Sequence, residues 1–274
     1  MLGMTFALPH RLRNSNVAPG TLDEGGVTVK AYTFPSEYAN DPTMDTRVRE
    51  ALNLAIDKRA ISAGPHFGFS HPSGSIYSAG TFGSRDEVVH NPSPYDPERA
   101  RALLAEAGYP NGFEIQGHFG QFAGRPGIPE AADAIASYWK DIGVTVSWQE
   151  HDPSDFVKGF RAGNLSWTQV SLPTFGRQEH GARRVISSYH STGSYQHPHT
   201  AEVTALKFKL LNTIDVDEQQ RLLAEIEDKV LALKEIFPLY GMSLVMGYTD
   251  RVLAHPTVEH SPHFKHIDLI VLRD

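Results

Sequence analysis

The chain has 274 residues, 40% of them apolar and 21% charged. At about 100–200 residues per domain, this is one large domain or two small ones, long enough to bury a core without staples. Lys and Arg total 25 against 32 Asp and Glu, a net charge of −7 with no polybasic patch, so nucleic acid is not an expected partner. Cysteine is absent, which removes thiolate nucleophiles and disulfides, and no apolar run reaches the length of a membrane span.

In chain order, residues 1–26 lack periodicity and end in Gly25-Gly26, so they read as a loose lead-in. Within them Arg11 and Arg13 follow a short apolar stretch, the reverse of a secretory signal, and no signal peptide is expected. Residues 27–34 alternate as a strand. Asp45 caps a helix whose stripe is Val48, Ala51, Leu52, Ala55 and Ile56. A second short helix starts near Asp57 and stops by Gly64-Pro65. Residues 64–95 are too long for an ordinary loop and should be functional or hold short elements.

Asp96-Pro97 opens a helix that Gly108 and Pro110 close. Phe113, Ile115 and Phe119 then mark a strand. A helix over 129–142, a strand through Val144, Val146 and Trp148, a helix from Asp152-Pro153 to Gly163 and a strand over 165–172 complete a β-α-β-α-β order. After an irregular stretch at 173–199, helices are expected over 200–211 and 217–236. Pro238 then breaks the pattern ahead of a buried strand at 239–248 and a last strand at 267–272.

Catalytic signatures are missing. There is no His-Glu-x-x-His, no Gly-x-Ser-x-Gly and no phosphate-binding Gly-x-x-x-x-Gly-Lys-Ser/Thr. No catalytic residue and no metal ligand is assigned. The alternative to a binding protein is a metal-binding protein or metal-dependent enzyme built on histidines. One cluster is His190, His197 and His199. The other is His255, Glu259, His260, His263 and His266. Neither cluster has two histidines at the i, i+4 spacing that preorganises two ligands, and Pro198 and Pro262 interrupt them.

Four segments carry a family resemblance. Residues 45–57 (DTRVREALNLAID), 95–110 (YDPERARALLAEAGYP) and 142–146 (IGVTV), with Asp217 to Arg221 followed by Phe237 to Tyr240, resemble in order the signatures of the family 5 extracellular solute-binding proteins. These are the dipeptide-, oligopeptide- and nickel-binding subunits of ABC importers. The resemblance implies an α/β fold, a mixed sheet flanked by helices, forming one lobe of a type II periplasmic binding protein. It implies the C-terminal half of such a protein. Residues 1–34 would be lead-in and hinge-crossing strand, 35–248 the ligand-binding lobe, and 249–274 a return toward a first lobe. The two end segments are then expected to self-associate or to meet a separate N-terminal lobe.

The implied function is capture of a peptide-like or other small polar solute in an interlobe cleft, without enzymatic turnover or cofactor. Delivery would be to an ABC permease, and the location periplasmic or extracellular. The cleft residues implied are Phe34, Glu37, Phe67, Tyr77, Ser171, Phe175, Arg177 and Tyr240. Peptide-binding relatives often carry a Trp and an Asp after the strand that matches 165–172. Here that segment holds Arg177 and no carboxylate, which favours an anionic or neutral solute.

Overall fold

The computed structural model describes residues 17–31, 41–64, 70–120, 127–162, 170–172, 174–176, 180–188, 200–247, 252–254 and 271–272. The main sheet orders its strands as β2 (Ser70–Pro72), β7 (Ile236–Gly247), β1 (Val17–Ala31), β5 (Val170–Leu172), β3 (Phe113–Gly120) and β4 (Val144–His151). β6 (Thr174–Gly176) also pairs with β1. The β3–β4 and β3–β5 pairs are parallel, whereas β1 runs antiparallel to β5, β6 and β7. The sheet is therefore mixed. A separate antiparallel pair joins β8 (Val252–Ala254) to β9 (Val271–Leu272).

The local signals that place these elements are visible. Asp45 Oδ1 accepts from Arg47 N at 2.8 Å and starts α1 (Thr46–Leu54). Asp57 Oδ1 accepts from the amides of Arg59 and Ala60 and starts α2 (Lys58–Ala63). Asp96 accepts from Arg99 N at 2.8 Å, with Pro97 as the first residue of α4 (Pro97–Glu106). Each cap satisfies amides that a helix start leaves without an intrahelical partner. The stretch 64–95 holds β2 and the short α3 (Asp86–Val89).

α5 (Ile128–Asp141) carries the chain from β3 to β4, and α6 (Pro153–Ala162) carries it on toward β5. Alternate residues of a strand face opposite sides. Ile115 and Phe119 belong to the first core cluster with Ile135, Trp139, Leu52 and Leu104, so α1, α4 and α5 share it with the sheet. Trp139 donates Nε1 to Leu52 O at 2.9 Å, satisfying its one polar atom inside that cluster. The turn from α4 into β3 has no room for a side chain at Gly112, where φ is +74° and an added Cβ would collide with the Gly143 carbonyl.

The second core cluster gathers α7 (Gly181–Ser188), α8 (Ala201–Leu211) and α9 (Val216–Ala232) around Val185, Val203, Leu210, Leu223 and Ile226. A buried carboxylate fixes the 73–85 segment to α9. Glu227 is fully buried and accepts from Ser75 Oγ, from Ile76 N at 3.2 Å, and from Arg85 Nε and Nη2 at 3.1 and 2.9 Å. Burial raises its pKa, opposed by the bonds from Ser75 and Arg85.

Two sequence expectations are corrected. Residues 17–26 are not a loose lead-in but the first part of β1, paired with β7 from Val17↔Gly247 onward. Pro19, Gly25 and Gly26 hide the strand in the sequence, and the ladder shifts register between Pro19 and Asp23 and between Asp23 and Gly26. Pro238 does not separate helix from strand. It lies within β7, which begins at Ile236.

Glu227→Gln should lower unfolding stability by about 2 kcal/mol, because the Arg85 guanidinium loses its buried ionic partner. Urea denaturation checks this, and a change below about 0.5 kcal/mol would mean that the ion pair behaves like a surface one.

Candidate functional site

In parallel α/β sheets, ligands gather beyond the carboxyl ends of the strands. Here the register brings two histidines to that end. His118 of β3 stands opposite Ser171 of β5 and Gln149 of β4, and Gly120 stands opposite His151. His118 is 1% exposed, and its Nδ1 lies 2.6 Å from Nε2 of His151. The rings stack with centroids 4.9 Å apart, and His151 also lies against Phe156 of α6. At that distance one nitrogen must donate and the other accept, so the pair holds a single bridging proton.

Burial, and then the neighbouring His151, push the His118 pKa down to about 4. The fold thus keeps His118 neutral across the ordinary histidine range.

Beyond the end of β5 the sheet carries a run of glycines. Gly25 pairs with Gly176, and Gly26 stands between Phe175 and Gly241. Gly241 is in turn opposite His71 of β2. This glycine band crosses β6, β1 and β7 and lets another molecule approach the backbone closely.

The sequence-expected cleft residues separate into groups. Ser171 lies beside His118 in the ladder and Phe175 opposite Gly26, both at the carboxyl-end region. Phe34, Glu37, Phe67 and Arg177 lie outside the described residues. The two tyrosines take core positions in place of the expected cleft wall. Tyr77 is 2% exposed in the second cluster, and its hydroxyl donates to Leu223 O at 3.1 Å. Tyr240 is 1% exposed in the first cluster, and burial raises the pKa of its phenol. An aromatic ring at these positions contributes more as buried area than as an exposed wall.

The histidines at 190, 197 and 199 and at 255, 260, 263 and 266 lie outside the described residues. Among the described residues, no group of three or more His, Asp or Glu is placed to hold a metal ion.

Folding should be linked to His118. Its folded pKa is depressed, so the folded state stays neutral while the unfolded chain protonates. Stability should be complete above about pH 6.5 and fall as the pH drops toward about 4. In His118→Asn the slope over that interval should flatten. Denaturant midpoints measured across the interval check this, and parallel curves for the two proteins would count against it.

Known proteins share parts of this sequence and this fold. The family profile described as "Bacterial extracellular solute-binding proteins, family 5 Middle" matches residues 12–178. Heme-binding protein A of Haemophilus influenzae is 34% identical over 147 residues, covering 53% of this chain and 26% of that protein. The dipeptide-binding protein of Escherichia coli is 30% identical over 135 residues, covering 46% and 25%. Among solved structures, HbpA2 from Haemophilus parasuis superposes with a TM-score of 0.73 at 22% identity, over 88% of this chain and 46% of that one. DppA from Helicobacter pylori, in complex with the peptide STSA, gives 0.73 at 20%, over 91% and 48%. The alignments thus span about a quarter of the curated relatives and under half of these solved structures. The solved structures share the fold of type II periplasmic binding proteins, and by the profile match over more than half its length the chain belongs to the family 5 bacterial extracellular solute-binding proteins.

Proposed function

We propose that the chain forms the ligand-binding lobe of an importer's solute-binding protein and captures a small polar solute at the carboxyl ends of β3, β4 and β5. The observation that carries this reading is the family match at 12–178, which contains β3, β4 and β5 whole. His118, His151, Ser171 and the glycine band stand there. Relatives include heme-, dipeptide- and glutathione-binding proteins, which suggests the range of solutes. Phe34, Glu37, Phe67, Phe175 and Arg177 are the further candidates for the cleft. The absence of a carboxylate over 171–177, with Arg177 at the end, favours an anionic or neutral solute.

The role is capture without chemistry. A second lobe would close on the solute by a hinge motion, and an ABC permease would receive it, at a periplasmic or extracellular location.

Tryptophan fluorescence of the purified chain, titrated with Ala-Phe, reduced glutathione and hemin, tests the reading. One of the three should bind saturably, Ser171→Trp should weaken it at least tenfold by filling the strand end, and none should be consumed. Absence of saturable binding for all three, or binding indifferent to Ser171→Trp, would remove the proposal.

A further inference from the structure

Across the sheet from the His118–His151 pair the described residues enclose a groove of about 830 Å³. It lies where β7 begins, beside Ile236 and Phe237, and its floor is the α1–α2 junction with Asn53 and Lys58. Ile236 pairs with Lys30 of β1, Lys30 with Ser171 of β5 and Ser171 with His118 of β3, so the groove lies level with the His118–His151 pair but three strands away across the sheet. The volume falls in the range of small-molecule sites.

Two polar groups in the floor have unused bonding capacity. Lys58 is 2% exposed, and its Nζ donates to Asn53 O at 3.0 Å. An ammonium carries three donors, and among the described residues Lys58 Nζ makes no second hydrogen bond. Asn53 is 2% exposed and donates Nδ2 to Ser93 Oγ at 3.1 Å, while its Oδ1 is buried without a partner. Native proteins seldom leave such a buried acceptor unpaired. Asp57 does not neutralise the floor fully, because its Oδ1 is engaged by the first amides of α2. Arg59 adds a second cation to the lining, and Lys234 lies nearby in a bond to Glu50 at 2.9 Å. The walls, Pro92, Leu231 and Pro238 among them, are apolar.

We infer that this groove is a second binding site, for a small carboxylate that also carries an N–H donor and an apolar side chain, the chemistry of an N-acylated or free amino acid. Lys58 Nζ takes the carboxylate, Asn53 Oδ1 accepts the N–H, and the prolines and Leu231 cover the hydrocarbon. The site is separate from the proposed solute cleft and does not depend on that reading.

A pH signature follows. Burial holds the Lys58 pKa down to about 7, with Glu50 and Asp57 opposing the shift and Lys234 adding to it. A bound carboxylate favours the ammonium, so binding takes up a proton above about pH 7. Affinity should be flat below that value and weaken above it, by up to about tenfold per pH unit.

Isothermal titration of the full chain with N-acetylleucine tests the site, with N-acetylleucinamide as the uncharged control. The acid should bind saturably and at least tenfold tighter than the amide, and lose affinity between about pH 6 and about pH 9. Lys58→Gln should abolish binding. Because that change also removes a hydrogen bond at the end of α1, Arg59→Gln is the second variant. Arg59 is exposed, so circular dichroism should be unchanged while affinity drops several-fold. The inference is overturned if no saturable heat appears up to about 10 mM, or if acid and amide bind alike. It is overturned too if His118→Asn rather than Arg59→Gln weakens binding, since the ligand would then sit at the carboxyl end. Failure of the Ala-Phe, glutathione and hemin titrations with success here would leave this site standing alone.

Discussion

The buried guanidinium of Arg49 is the interaction on which the arrangement of the two cores depends. It is 6% exposed and donates to Leu233 O through Nε and Nη2 and to Thr43 O and Met44 O through Nη1. Leu233 is the C-cap of α9, so the cation meets the partial negative end of that helix. Three residues later β7 begins, and β7 is the strand to which both β1 and β2 add. Lys234, held at a left-handed φ of 52°, makes the sharp exit between helix and strand. One charge thereby sets where α9 stops, how the chain turns and where the central strand enters the sheet. Arg stays charged at every relevant pH.

The sequence motif at 45–57 gains a physical meaning from this. Asp45 caps α1. Arg47 forks back onto Asp45 and donates to Glu106 O at the end of α4. Arg49 reaches α9. The cap was legible locally, because an acidic residue before an apolar stripe marks a helix start. The two arginine contacts were not, because their partners lie 59 and 184 residues away in the chain. The stretch from 113 to 172 was legible for the same local reason: its Gly and Asp-Pro punctuation sits at each boundary. β1 was illegible between 17 and 26 because its strand character comes from the β7 ladder, which overrides an unfavourable composition of Pro and Gly.

The site shows the same division. Local clusters of histidine draw attention in a sequence, but the pair that the fold brings together is His118 and His151, one on each of two parallel strands. No local pattern marks them. The only available signal was the strand alternation, which puts His118 off the face carrying Ile115 and Phe119. Register then does the rest, since β3 and β4 run together from Phe113↔Val144 to Gly120↔His151. Tyr77 and Tyr240 mislead in the opposite sense. Aromatic residues near strand ends suggest a cleft wall, yet each supplies a large buried ring where a second element closes over it.

The two regions of the sheet follow different electrostatic rules. At the carboxyl end of β3, burial keeps His118 neutral, with His151 Nε2 2.6 Å from its Nδ1. At the amino end of β7 a cation is buried with incomplete partners, and a second cation lines the groove. Desolvation opposes the charged form in both places. The outcome differs because the His151 imidazole opposes charge on His118, whereas Glu50 and Asp57 favour charge on Lys58. A neutral imidazole leaves no charge to be met. A buried ammonium with spare donors leaves a charge that an acceptor from outside can meet, and this asymmetry, rather than shape, separates the two regions.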